Sequence, residues 1–200
     1  MKTLYPFMVC FMMILSISCK KDVINPSRET GYLQVSIGMS IHINEVGSKL
    51  KSLRQTEDFK VTIYMADGTE AKSFESASDM PDTIELETGN YYVVAHSDNN
   101  LPAAFENPYY RGVSNVFTIS SNIQQSVLVN CELANTIVTV SYSDNVVNSF
   151  SDYTTTVSSE LDSLVFTKNE IRMGYFQTLP LEIMAELTYL NPDGLVLPRS

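Results

Sequence analysis

Tryptophan is absent from the 200 residues, only two histidines occur, and 13 Lys and Arg stand against 23 Asp and Glu. The shortage of cations leaves a formal net charge of −10, and the basic residues are scattered rather than clustered. Nucleic-acid binding draws its affinity from phosphates neutralised by Lys and Arg, so a chain this acidic is not expected to take nucleic acid as a partner. His42 and His96 are far apart and neither belongs to a ligand-spaced pair, so no metal site is expected. Ser97-Asp98-Asn99-Asn100 lacks the spaced carboxylates and the glycine of a calcium loop. Cysteine is limited to Cys10, Cys19 and Cys131, too few for the disulfide framework of a small secreted domain.

Catalytic constellations are missing as well. His96-Ser97-Asp98 sets three triad residue types side by side, but successive residues of a strand point to opposite faces and cannot form a relay. No other nucleophile or acid–base pair stands out, so no catalytic residue and no cofactor are expected.

One long hydrophobic run does occur, at the start. Lys2 precedes Leu4–Ile17, which carries no charge, has the length of a signal-peptide core and is too short to span a bilayer. Leu15-Ser16-Ile17-Ser18-Cys19 then resembles a lipobox, with leucine at −4 in the looser form of Bacteroidetes lipoproteins. The expectation is a signal peptide over 1–18, lipid on Cys19, and a polar tether over 19–30. Such a protein is exported and held at the outer membrane or cell surface by its acyl chains. Cys10 leaves with the leader. Cys131, in Val127-Leu128-Val129-Asn130-Cys131, reads as a buried, inert thiol.

From residue 31 the pattern becomes period two. Tyr32–Met39, Phe59–Tyr64, Tyr91–His96, Val116–Ile119 and Val127–Val129 read as strands, with turns at Asp67-Gly68 and Glu87–Asn90. A second set follows at Ile137–Tyr142, Tyr153–Val157, Ser163–Phe166 and Leu181–Tyr189, with one helical turn at Val146–Phe150. Strands every ten residues without a sustained helical period predict an all-β protein of tandem immunoglobulin-like or transthyretin-like sandwiches, the first over 31–131 and the second over 132–200. Asn191–Gly194 is a turn, and Leu195-Val196-Leu197 starts a return strand that Pro198 stops. The second sandwich is therefore expected to be incomplete. Either the sequence is truncated, the preferred reading, or another chain supplies the strand.

The stretches Asn90–Asp98, Pro102–Gly112 (PAAFENPYYRG) and Val129–Asn135 resemble a domain-of-unknown-function family of Bacteroidetes lipoproteins, over roughly residues 30–194. Members often carry this domain ahead of a predicted carbohydrate-metabolism domain. The resemblance implies a surface address and a β-sandwich, and brings no catalytic residues. A weaker likeness is to fimbrillin-type pilin subunits.

Within the most specific stretch, Ala103–Gly112 reads as a loop in which Phe105, Glu106, Asn107, Tyr109, Tyr110 and Arg111 combine rings with a carboxylate, an amide and a guanidinium. That combination suits a sugar, although the same tyrosines also suit a cover over the open end of the sandwich, the preferred reading. Asp82-Thr83-Ile84 and Asp162-Ser163-Leu164 match a short Bacteroidetes O-glycosylation pattern at Thr83 and Ser163. The functional expectation is a membrane-anchored, non-enzymatic binding module for a glycan or protein partner; the alternative is a pilin-like or adhesin subunit assembled by strand exchange.

Overall fold

The computed structural model describes residues 28–40 and 56–189, together with the backbone of 198–199. Expectations for the leader, Cys19, most of the tether, the turn at Asn191–Gly194 and the return strand at Leu195–Leu197 lie outside these residues.

Alternation decides most elements, because residues two apart share a strand face. Strand β1 (Thr30–Met39) turns Leu33, Val35 and Ile37 inward and Tyr32, Gln34 and Ser36 outward. A 3₁₀ turn at Thr56–Asp58 leads to β2 (Lys60–Met65), and Asp67-Gly68 reverses the chain into β3 (Glu70–Phe74). Gly68 takes a φ of +90°, open to glycine at no steric cost, and the Asp67 carboxylate accepts the Thr69 N–H at 2.9 Å. Next come β4 (Ile84–Glu87), β5 (Gly89–His96), β6 (Ala103–Phe105), β7 (Tyr110–Val113), β8 (Phe117–Ile119) and β9 (Gln124–Leu133). The remainder holds β10 (Asn135–Val138), helix α1 (Asp144–Ser149), β11 (Phe150–Ser158), β12 (Ser163–Thr167), β13 (Gly174–Gln177), β14 (Glu182–Tyr189) and β15 (Pro198–Arg199).

The chain is all-β. Its larger sheet runs β3-β2-β5-β7-β9-β1-β4, with β8 also on β5. The β1–β9 pairing is parallel and every other pairing in the molecule's described sheets is antiparallel. This sheet encloses a core of Leu33, Phe59, Val61, Ile63, Ile84, Tyr91, Val93, Tyr110, Ile119, Val129 and Cys131, among others. Each Val, Leu, Ile or Phe so buried contributes about 1.5–3 kcal/mol from removal of apolar surface from water.

Two further sheets, β10-β13-β6 and β12-β11-β14-β15, enclose a smaller core of Ala103, Val157, Phe166 and Phe176. The segment 103–112, expected as a loop, instead contains β6 and β7. Neither Ala-Ala-Phe nor Tyr-Arg-Gly-Val alternates clearly enough to announce a strand; pairing with β13 and with β5 and β9 makes them so. Ile137–Tyr142 contracts to a strand ending at Val138, and the expected helical turn is α1, two residues earlier. β9 runs through position 131/132, and β6 sits with the second set of sheets, so chain order and layer membership differ.

Candidate functional site

The six residues of the aromatic stretch do not converge on one surface. Tyr109 and Tyr110 are both 7% exposed. Tyr110 lies in the larger core, stacked on Phe59 at 6.5 Å, and its N–H donates to Ser97 Oγ at 2.9 Å. Tyr109 leans on His96 at 5.9 Å, and its N–H donates to Asn135 Oδ1. Burial pushes the Tyr109 phenol above its ordinary value, opposed by Arg111 and reinforced by Asp98. Phe105 is half-buried, edge-on to Phe166 at 5.1 Å, with the Arg172 guanidinium 4.4 Å above its ring. Asn107 belongs to a bracket: its Nδ2 donates to Asn99 O, while Asn99 Nδ2 donates to Asn107 Oδ1 and Pro108 O, all at 2.9 Å. Asn99 Oδ1 is shielded from solvent and without a partner. Only Glu106, which holds a φ of +51°, and Arg111 are exposed.

The other expected residues are placed as follows. Thr83 precedes β4 and Ser163 opens β12; both are exposed, and the Ser163 N–H donates to Asp162 Oδ1 at 2.8 Å. Ser97 is buried against Tyr110, whereas Asp98 is exposed. Cys131 is buried, its thiol donating to Ala95 O at 3.5 Å, and burial pushes its pKa up to about 11. Among the described residues no cluster of three or more His, Cys, Asp or Glu is placed to hold a metal ion.

A second location emerges at β14. On one side it pairs with β11, setting Val157 opposite Ile183, Thr155 opposite Ala185 and Tyr153 opposite Leu187. These pairs share the face that looks into the smaller core. Val157 is fully buried there, yet its neighbour Ile183 is 71% exposed. The sheet β10-β13-β6 has three strands and the sheet that holds β14 has four. On the opposite face Met184 is 57% exposed between Glu182 and Glu186.

Among the described residues, the far edge of β14 is unpaired over residues 182–186. β15 meets it at Leu187 and Thr188, and no described strand pairs with 182–186 on that side. A bare edge of backbone donors and acceptors beside exposed apolar side chains is a template for an added strand. On the other side, where β11 ends beside Glu182, lies a cleft of about 300 Å³ lined by Ser158, Ser159, Glu160, Pro180 and Glu182. Two carboxylates and two hydroxyls make it an acceptor-rich, negative recess. The sequence had suggested an unfinished sheet but not these residues; the available signal was Glu-Ile-Met-Ala-Glu, whose apolar residues fall on both faces of one strand.

The family model of a domain of unknown function (DUF4493) matches residues 29–192. The chain belongs to this family. The DUF4493 match spans both sets of sheets and the open strand. No curated protein matches the chain in sequence. Among solved structures, it is similar to a candidate adhesin from Bacteroides ovatus at 10% identity and a TM-score of 0.43, covering 80% of this chain and 72% of that one. The fimbrial anchor protein Mfa2 from Porphyromonas gingivalis is similar at 13% identity and a TM-score of 0.41, over 80% and 77%. A candidate polysaccharide-binding protein from Bacteroides thetaiotaomicron reaches 8% and 0.31, over 83% and 77%. At such scores these likenesses carry no functional conclusion.

Proposed function

We propose that the protein is a lipid-anchored, non-enzymatic surface module that holds a protein partner along the uncovered strand β14. The observation that carries this reading is Ile183, 71% exposed on the face where the neighbouring Val157 is fully buried. Exposed apolar side chains on an unpaired edge are costly liabilities in a solitary protein and useful in a docking one. Acyl chains on Cys19 would fix the module to the membrane, since more than one chain gives stable anchoring.

A photo-crosslinking amino acid in place of Met184 tests the docking edge in cells. An adduct is expected from position 184 and none from a control at Ile171, which is 94% exposed in a connecting loop. Adducts at both positions, or at neither, refute the reading. In the same cells Cys19→Ala should lose palmitate labelling, and retained labelling removes the anchor.

A glycan partner is a second reading, and it rests on Glu106 and Arg111 as the exposed polar groups of the aromatic stretch. Glycan-array binding that weakens in Glu106→Ala and Arg111→Ala is the expected result; binding indifferent to both counts against it.

A further inference from the structure

The outward face of the parallel pair β1–β9 carries no charge along most of its length. On β1 the outward positions are Tyr32, Gln34, Ser36 and Gly38; in register beside them on β9 stand Gln124, Ser126, Leu128 and Asn130. All seven of these side chains are exposed, while Leu33, Val35, Ile37, Val127 and Val129 face the larger core. Charge returns at the borders. Glu85 of β4 is in register with Tyr32, and Glu132, the next outward residue of β9, is in register with Arg111 of β7. In a chain with 13 Lys and Arg and 23 Asp and Glu, so long an uncharged strip asks for a cause.

The polar groups of the strip hold one another in place. Gln34 Oε1 accepts from Gln124 Nε2 at 3.2 Å and from Ser126 Oγ at 3.4 Å, and Asn130 Nδ2 donates to Ser40 Oγ at 2.7 Å. With its carbonyl engaged twice, the Gln34 amide is oriented and its Nε2 donors are left over. Among the described residues nothing accepts from them, and nothing donates to Gln124 Oε1 or Asn130 Oδ1. Gly38 makes a low point at one end, since a Cβ there would meet Asn130 Oδ1 at 2.9 Å and Leu128 Cδ1 at 3.6 Å. Six residue steps of about 3.3 Å make the strip about 20 Å long, and it is one strand spacing wide.

That shape suits one extended chain, and the chemistry narrows its class. Covering a charge without a counter-charge is costly, so a face that receives a neutral polar chain does best with none. A sugar hydroxyl both donates and accepts, which matches amides that offer both roles. Protein interfaces place aromatic residues, Met and Arg at their centre. Here one tyrosine and one leucine are set apart by amides and hydroxyls. Nucleic acid would require cations that the strip lacks.

We propose that the β1–β9 strip binds a neutral polysaccharide lying along the strands. Gln34, Gln124 and Asn130 bond its hydroxyls, and Tyr32 and Leu128 cover its apolar ring faces. The site is independent of β14 and separate from Glu106 and Arg111.

Native affinity electrophoresis of the full chain in detergent tests it, with hydroxyethylcellulose, laminarin, galactomannan or polygalacturonate in the gel. At least one of the three neutral polymers should retard the protein, and the acidic polygalacturonate should not. Gln34→Glu keeps an oxygen to accept from Gln124 and Ser126 but replaces the two donors with a charge. It should weaken retardation at least about tenfold, and Tyr32→Ala should weaken it as well. Asn145→Glu, exposed in α1, adds the same charge elsewhere and should change nothing. Circular dichroism checks that each variant keeps its strands. Retardation by none of the neutral polymers overturns the proposal, as does equal retardation by polygalacturonate or indifference to Gln34→Glu. Retardation lost in Glu106→Ala and Arg111→Ala but kept in both strip variants moves the sugar to the aromatic stretch and overturns this site. A dimer on size exclusion that Gln34→Glu dissociates gives the strip to a second copy instead. Crosslinking from position 184 bears on β14 alone, so either reading can fail without the other.

Discussion

Arg172 is held by two different chemistries at once. Its Nε and Nη2 donate to the two carboxylate oxygens of Glu170 at 2.9 and 2.6 Å, while its guanidinium lies over the Phe105 ring. The planar fork makes both contacts possible, and lysine would keep only a point charge. The Arg172 side-chain bonds, then its backbone N–H, hold the Glu170 carboxyl at about 2 rather than the ordinary value near 4.5. The folded pKa is thus depressed. Its contribution to stability is present above the unfolded value and is lost as pH falls from about 4.5 through about 2. In an NMR titration the Glu170 carboxyl should have its midpoint near 2 and return toward the ordinary value in Arg172→Ala. An ordinary midpoint in the unaltered protein would show that the fork does not form in solution. Cys131 has the opposite sign: its raised pKa makes a contribution that is present below the unfolded thiol value and lost as pH climbs toward 11.

Among the elements, β7 shows how a short strand is fixed by its neighbours. It has four residues, and Gly112 lies so close to β9 that a Cβ would run into the Asn130 carbonyl and approach Cys131 Sγ at 3.0 Å. Backbone cannot yield as a flexible side chain would, so Gly112→Ala should cost about 1–3 kcal/mol through overpacking. Thermal unfolding should show a lowered midpoint with unchanged strand content; an unchanged midpoint would mean the sheets open freely there.

Legibility in the sequence follows the same logic. β1 and β9 alternate and have one buried face, so periodicity found them; β2 and β5 were found from their β-branched and aromatic residues, although Thr62 and Val94 bury the second face as well. β6 and β13 were not found, because Ala-Ala-Phe and Gly-Tyr-Phe-Gln are strands only by virtue of each other and of β10. β14 was legible as a strand, but its exposure on both faces was not. Exposure depends on what packs against a strand, which residue order alone does not reveal. Of the two readings of the aromatic stretch, Tyr109 and Tyr110 follow the structural one: they fall on either side of a strand start, and packing buries both.

At the scale of the whole molecule, the two cores are joined by more than covalent continuity. Asn135, just past β9, accepts the Tyr109 N–H with Oδ1 and donates from Nδ2 to Phe176 O at 3.2 Å. Around it the Ala134 N–H donates to Tyr109 O at 2.8 Å, Gln177 N–H to Pro102 O at 3.0 Å, and Glu106 N–H to Met173 O at 2.9 Å. One amide therefore ties the end of the larger sheet, through Tyr109, to β13 in the smaller core. Removing it leaves a backbone donor at a buried residue without its acceptor, at a cost of about 1–3 kcal/mol. Phe176→Ala instead removes a ring from the smaller core and should cost about 3–5 kcal/mol. The two changes differ in where their effects fall. Hydrogen exchange on Asn135→Ala should speed amides in both β7 and β13, because the bridge serves both. Phe176→Ala should speed those of β11, β12 and β13 while β1, β2 and β5 keep their protection, since Leu33, Val61 and Val93 pack in the other core. If Asn135→Ala affected β13 alone, the bridge would be an accessory of the smaller core. If Phe176→Ala loosened β2 and β5 equally, the two cores would unfold as one cooperative body, and β14 would report on the stability of the entire chain.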